Sequence, residues 1–208
     1  MIKNKVVFIL GTGHCGSTLL DLILGSHNDT FSLGEVYRVL SQDLDNPLCH
    51  LCEEECEIWT PELKKKLKQC YHPNILQRIT SKIIAEKKIE TSFYKLIHKK
   101  VNQPILIDSS KKAGWIYRNG KQLYKSKKFE PILLYLSRDG RAVVNSYYRK
   151  YPERGLENIS HNWNKRIEKI NKCFSDWDFA KKIHIKYEDL AKEPVETIQE
   201  ILDFLNVD

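Results

Sequence analysis

Long apolar runs are missing from this 208-residue chain. No stretch approaches the roughly 20 consecutive apolar residues that a membrane-spanning helix needs, which excludes a helical span. The N-terminus offers two lysines and then only the apolar run Val6–Leu10, short of the roughly 7–15 residues of a secretory leader. The chain is therefore expected to be soluble and cytoplasmic. Glycine and proline are scarce, at 9 and 7 residues, and there is neither an internal repeat nor a low-complexity linker, which excludes a disordered chain. Six cysteines are present. In a cytosolic protein they read as thiols or metal ligands rather than disulfides.

What is present suits one domain with a real core: 41% hydrophobic residues over 208 positions. The formal charge is +7. Such a surplus points to an anionic partner, among them a nucleotide, a nucleic acid, a membrane surface or an acidic polymer; a lysine-rich solvated surface would give the same count.

Four short apolar segments read as buried parallel strands: Lys5–Leu10, Pro104–Asp108, Glu130–Leu136 and Lys182–Tyr187. Helical patterns lie between them. Ser17–His27 is apolar nearly all round and is expected to be buried. Pro73–Lys87 and Leu156–Phe174 each carry one apolar face, and a last helix opens at Pro194, a good first-turn residue. Strands alternating with helices predict a three-layer α/β fold, a central parallel sheet flanked by helices. The stretch from about 41 to 100 shows no strand pattern and reads as a mostly helical insertion within a single domain over residues 1–208.

The first strand runs into "GTGHCGST", Gly11 to Thr18. A strand, a G-x-x-x-x-G loop and a helix form a phosphate loop (P-loop): glycines let the backbone turn tightly, amides at the helix start point at an anion, and the helix dipole favours negative charge there. Ser17 and Thr18 add hydroxyl donors. A nucleoside triphosphatase would place a lysine after the second glycine of the motif to reach the β- and γ-phosphates. Here Ser17 stands in that place. A ligand with a single group beyond its α-phosphate, such as a phosphosulfate, has less need of that lysine.

The third strand leads into "SRDGRAVVNSYYRK". Asp139 is a candidate N-cap. Arg138 sits at the strand's carboxyl end, where α/β folds bind ligands. Ser146 follows eight residues later, about two helical turns on, so the two can clamp a second phosphate by charge-assisted hydrogen bonds. An arginine paired to a nearby carboxylate beside an ordinary surface serine is the alternative.

Taken together, His14-Cys15-Gly16-Ser17-Thr18 and Arg138…Ser146 resemble the two nucleotide-binding motifs of the sulfotransferases that use 3′-phosphoadenosine-5′-phosphosulfate (PAPS). The family's first loop has the form (Arg/Lys)-Ser-Gly-Thr-Thr, and "IHIKYEDLAKEP", Ile183–Pro194, resembles its C-terminal strand–helix. The resemblance runs from residue 5 to the end, apart from about 41–100, and is closest to bacterial carbohydrate and tyrosylprotein-like members. It implies that Gly13, His14, Cys15, Gly16, Ser17 and Thr18 hold the 5′-phosphosulfate. Arg138 and Ser146 would hold the 3′-phosphate with help from Lys150, and Tyr187 would contact the nucleotide. It also implies transfer of a sulfuryl group to a hydroxyl acceptor, a carbohydrate or other small metabolite, with no metal required and no nucleic acid as partner. Relatives usually continue into a further loop over the adenine, so the C-terminal end reads as shortened.

For the chemistry, Glu35 in "FSLGEVYR" is the candidate general base, a role typically worth about 10²–10⁴ in rate. Family members acting on sugars or protein tyrosines often place Gly-Glu here. The alternative is a first-turn glutamate favoured by the dipole of a helix over Val36–Leu44. His14 stands where the family has Arg or Lys to neutralise the leaving group, and Lys111 in "LIDSSKKAG" is a candidate to share that task. Asp108 reads as a cap or orienting group. Two rivals remain. Ile105–Asp108 has the pattern of a magnesium-binding strand, which would suit a P-loop kinase. His14 and the short end would suit a non-catalytic PAPS-binding module. Cys49, His50, Cys52, Cys56, Cys70 and His72 allow a structural zinc, free thiols or a redox pair.

Overall fold

The computed structural model describes residues 4–41, 56, 58–71 and 85–207. Its core is a five-stranded, all-parallel sheet in the order β2-β3-β1-β4-β5, with β1 Lys5–Leu10, β2 Thr30–Ser32, β3 Ile105–Asp108, β4 Glu130–Ser137 and β5 Lys182–Lys186. The α/β expectation holds. Four of the strands are those expected, within a residue or two at their ends. β2 was not expected: three residues, Thr-Phe-Ser, carry no apolar run, and pairing with β3 rather than intrinsic preference makes them a strand.

The helices among the described residues are α1 Ser17–Gly25, α2 Val36–Ser41, α3 Pro61–Tyr71, α4 Ala85–Val101, α5 Ala113–Ser126, α6 Gly140–Lys150, α7 Leu156–Ser175, α8 Tyr187–Lys192 and α9 Pro194–Leu205. A helix over Pro73–Lys87 falls mostly outside the described residues. Between β2 and β3 the described segments are helical, and α4 inserts Phe93, Tyr94 and Ile97 into the core. Tyr187 opens α8 instead of ending β5.

Alternation along the buried strands builds two cores, one on each face of the sheet. Phe8 and Tyr135 face α4, α5 and α7, together with Trp115 and Trp177. Val7, Ile9 and Leu134 face α1, α8 and α9, with Leu20, Leu24 and Ile201 among their partners. The α1 expectation needs correction. Leu20 and Leu24 are buried, but Leu19 and Leu22 are each 47% exposed, because the sheet covers only one side of this helix.

The topology places the site. β1 sits in the middle of the sheet; the chain leaves it toward β2, whereas β4, on its other side, leads on to β5. The helix after β1 packs on one face, and α7, which follows β4, packs on the other. Such a divergence opens a crevice at the carboxyl ends of the two strands, the general ligand position of open α/β sheets. Gly11–Gly16 and Arg138 are the residues that leave those ends.

Candidate functional site

The loop between β1 and α1 is built around Gly16, which caps α1 in the left-handed region at φ 95°. Its missing side chain also admits a neighbour: a Cβ there would fall 2.3 Å from Cδ2 of Tyr187. At Gly13 a Cβ would fall 2.1 Å from the Tyr147 hydroxyl. The loop is thus held between two tyrosines from α6 and α8. Ser17 is buried, Thr18 is exposed, and the Cys15 thiol is buried and pushed up from its ordinary pKa by that burial. Cys15 can offer its backbone amide to a ligand, whereas its side chain belongs to the core.

The second grip converges on the same loop. Asp139 caps α6 by accepting from the Arg141 amide, 2.8 Å. Its own amide donates to Glu188 Oε1 at 2.9 Å, which ties the start of α6 to α8. Arg138 Nη1 donates to the His14 carbonyl at 2.9 Å, and its guanidinium lies 4.3 Å from the centre of the Tyr187 ring, a cation–π contact. Ser146 Oγ lies 2.7 Å from His14 Nδ1. Arg138 and Ser146 therefore both touch one residue of the glycine loop. Burial lowers the His14 pKa, and the positive charges of Lys150, Arg138 and Lys111 lower it further. Lys150 is exposed at the end of α6, with its ammonium 5.4 Å from the Tyr151 ring centre, a cation–π contact.

Glu35 and Lys111 come from different loops and meet: Lys111 Nζ donates to Glu35 Oε1 at 2.7 Å. The loops are laced together beneath them. The Leu33 amide donates to the Ile107 carbonyl, and the Ser109 amide to the Gly34 carbonyl. The Tyr37 amide, in the first turn of α2, donates to Ser110 Oγ at 2.9 Å. Five non-glycine residues among those described have positive φ. Asn102, Lys127 and Asn206 do so where helices end, as left-handed caps. His14, at 62°, and Lys111, at 58°, have no such reason, and both line one cavity with Glu35. Each such conformation costs on the order of 1 kcal/mol, and strain of this kind gathers at functional sites.

Asp108 is fully buried and organises this region. Its Oδ1 accepts from the Ser110 amide and hydroxyl, and its Oδ2 from the Tyr94 hydroxyl and Trp115 Nε1, both 2.9 Å. Burial raises its pKa to about 6. Both oxygens are taken, so Asp108 orients its neighbours and the magnesium-strand reading loses its ligand. Asp21, from α1, does similar work: it accepts from Ser32 Oγ and Ser109 Oγ, 2.8 Å each, joining the ends of β2 and β3. Burial pushes its pKa up.

Two supporting residues had no signal in the sequence. Asp21 looks like a polar break in an apolar helix, and Tyr147 like one of several surface tyrosines. Tyr147 packs against His14 with ring centroids 4.0 Å apart and the planes tilted by 39°, and its hydroxyl accepts from Arg166 Nη1 at 3.0 Å. Of the cysteine cluster, Cys49, His50, Cys52 and His72 lie outside the described residues. Cys56 is half-buried, with Sγ accepting from the Trp59 amide at 3.4 Å.

The chain resembles known proteins in structure more than in sequence. No curated protein sequence matches it. Solved structures do. The sulfotransferase domain of the curacin biosynthetic pathway matches with a TM-score of 0.64 at 21% identity, over 100% of this chain and 76% of its own. The sulfotransferase domain of the Synechococcus PCC 7002 olefin synthase matches with a TM-score of 0.56 at 22% identity, over 99% and 75%. A sulfotransferase from Alicyclobacillus acidocaldarius matches with a TM-score of 0.53 at 13% identity, over 100% and 83%. At these identities the structures establish a shared fold. A sequence model described as the sulfotransferase family matches residues 6–208, nearly the whole chain, and by that match the protein belongs to the sulfotransferase family.

Proposed function

We propose that this protein transfers the sulfuryl group of PAPS to a hydroxyl of a carbohydrate or other small metabolite in the cytoplasm, acting as one domain over residues 1–208 with a helical insertion at about 41–100. The supporting observation is that Arg138 and Ser146, one grip, both touch His14, the middle of the other. One adenosine bisphosphate can then be grasped at both ends. The 5′-phosphosulfate lies against the amides of Gly13 to Thr18, and the 3′-phosphate reaches Ser146 and Arg138 beside the His14 ring, with Lys150 nearby.

In the transfer, Glu35 takes the proton of the acceptor hydroxyl. The acceptor oxygen forms a bond to sulfur while the bond from sulfur to the 5′-phosphate oxygen breaks, and its electron pair leaves on that oxygen. Lys111 and His14 neutralise the charge that develops there. In the free protein Lys111 is held ready by Glu35.

Calorimetry with PAP, the desulfated product, tests the donor assignment. Binding without magnesium is expected; binding only of ATP with magnesium would overturn it. A screen of hydroxyl acceptors with radiolabelled PAPS tests the transfer, and PAP binding with no transfer to any acceptor would mark a non-catalytic module.

A further inference from the structure

The cavity beside Glu35 is strongly basic, and it extends beyond the donor's grips. It encloses about 1120 Å³ and is walled by the start of the glycine loop, the loops after β2 and β3, the end of α6 and one face of α7. At one end it meets the donor's grips at Gly13, His14, Thr18 and Lys150; beyond them Glu35, Lys111 and the face of α7 line it, and Gly16, Ser17, Arg138, Ser146 and Tyr187 do not. The part along α7, beyond Glu35 and Lys111, therefore lies on the acceptor's side of the reacting pair.

Eight lysine and arginine side chains line this cavity against two carboxylates. Both carboxylates are already matched, Glu35 by Lys111 at 2.7 Å and Asp176 by Lys172 at 3.1 Å. Setting Lys150 aside for the donor still leaves Lys112, Arg154, Arg166 and Lys169 on the wall. Lys112 and Arg154 lie over the rings of Tyr37 and Tyr151, and Arg166 donates to the Tyr147 hydroxyl. Arg154 reaches Glu153 only at 3.8 Å, and that glutamate is outside the cavity. Like charges gathered in a concave wall repel one another and raise the local concentration of anions. A neutral sugar would leave them facing each other, whereas an acid would relieve them.

We propose that the acceptor is an anionic hydroxylated molecule, an acidic saccharide or sugar phosphate, whose acid groups lie along α7 while the reacting hydroxyl reaches Glu35. The proposal rests on the sulfotransferase reading for the identity of the reaction, but the cavity's preference for anions is measurable without the donor.

The full chain is titrated by calorimetry with a glucuronate-containing hyaluronan hexasaccharide and with neutral maltohexaose, and with glucose 6-phosphate against glucose, each with and without PAP. The same compounds are then offered as acceptors with radiolabelled PAPS. At low salt the acidic member of at least one pair is expected to bind about tenfold or more tightly than the neutral one, a difference that shrinks as salt screens the wall. Lys169→Glu with Arg154→Glu removes that preference and keeps PAP affinity within about twofold. Lys169→Gln with Arg154→Gln shows the same order if the reversed variant fails to fold. Equal binding of acidic and neutral partners, or a preference that survives both double variants, overturns the proposal. Transfer to an acidic tyrosine peptide in preference to every saccharide also overturns it. Failure of PAP to bind overturns the donor reading alone, since PAP-free titrations of the parent and the double variants still report on the wall along α7.

Discussion

His14 Nδ1 lies 2.7 Å from Ser146 Oγ, so a residue of the glycine loop occupies the hydroxyl that the proposed 3′-phosphate would take. The donor must displace the imidazole or share the serine with it. Burial and then the charges of Lys150, Arg138 and Lys111 hold the ring's pKa below the usual 6.5, so the free protein carries His14 neutral at pH 7. An arriving phosphate reverses the local field and favours the imidazolium. PAP affinity is therefore expected to rise as pH falls through the complex's His14 pKa and to level off below that of the free protein. Calorimetry in two buffers of different ionisation enthalpy should show proton uptake on binding. In His14→Gln the remaining pH dependence is that of the ligand's own phosphates, and an unchanged slope in that variant would exclude the coupling.

Gly16→Ala should abolish PAP binding through the backbone. A φ of 95° disfavours any side chain, and the new methyl meets the Tyr187 ring at 2.3 Å. The loop must shift or Tyr187 must leave, and the second course also strips Arg138 of its ring contact. The expected loss of stability is about 1–3 kcal/mol, read by urea unfolding, with PAP affinity falling by more than the stability change explains. Normal PAP binding would mean that the loop does not use this conformation to hold the donor.

The features legible in the sequence are those encoded locally. A strand–glycine loop–helix and an arginine eight residues ahead of a serine are short-range patterns, and the chain folds them as spaced. What the sequence hid depends on contacts between distant segments. β2 exists because Thr30–Ser32 pairs with β3, far along the chain. Leu19 and Leu22 read as core, yet face away from the sheet. Asp21 and Tyr147 acquire their roles only when β2, β3 and α6 close around the loop. The meeting of Glu35 with Lys111 is of the same kind: each was a candidate alone, and their ion pair is a product of the fold.

Glu35→Gln keeps the size and the hydrogen-bonding oxygen of the side chain but removes the base. It should lower kcat by about 10²–10⁴ with PAP affinity nearly unchanged. Lys111→Met should lower kcat while the Glu35 loop keeps its place, since that loop is also tied by the Ser109 and Tyr37 amides. A Glu35→Gln enzyme as fast as the parent would remove Glu35 from the chemistry and leave it as the partner that holds Lys111.

Asp108 allows a sharper test, of stability rather than catalysis. Its carboxyl is raised from the ordinary 3.8 to about 6 by burial, so the folded protein holds that proton more tightly than the unfolded chain does. Its contribution is complete below about pH 4 and is lost as pH rises through about 6, an amount of order 3 kcal/mol. Asparagine cannot reproduce the site. Oδ1 faces the Ser110 amide and Oδ2 faces Trp115 Nε1, and both are fixed donors. Whichever way the amide turns, one N–H meets another, at a cost of about 1–3 kcal/mol. Asp108→Asn also removes the ionisation. The gap between wild type and variant is therefore expected to be small at pH 7 and to widen as pH falls toward about 4.5, by urea unfolding at each pH. A gap that stays constant across that range would mean that Asp108 ionises in the folded protein as easily as in the unfolded one, and that its burial does not govern its charge.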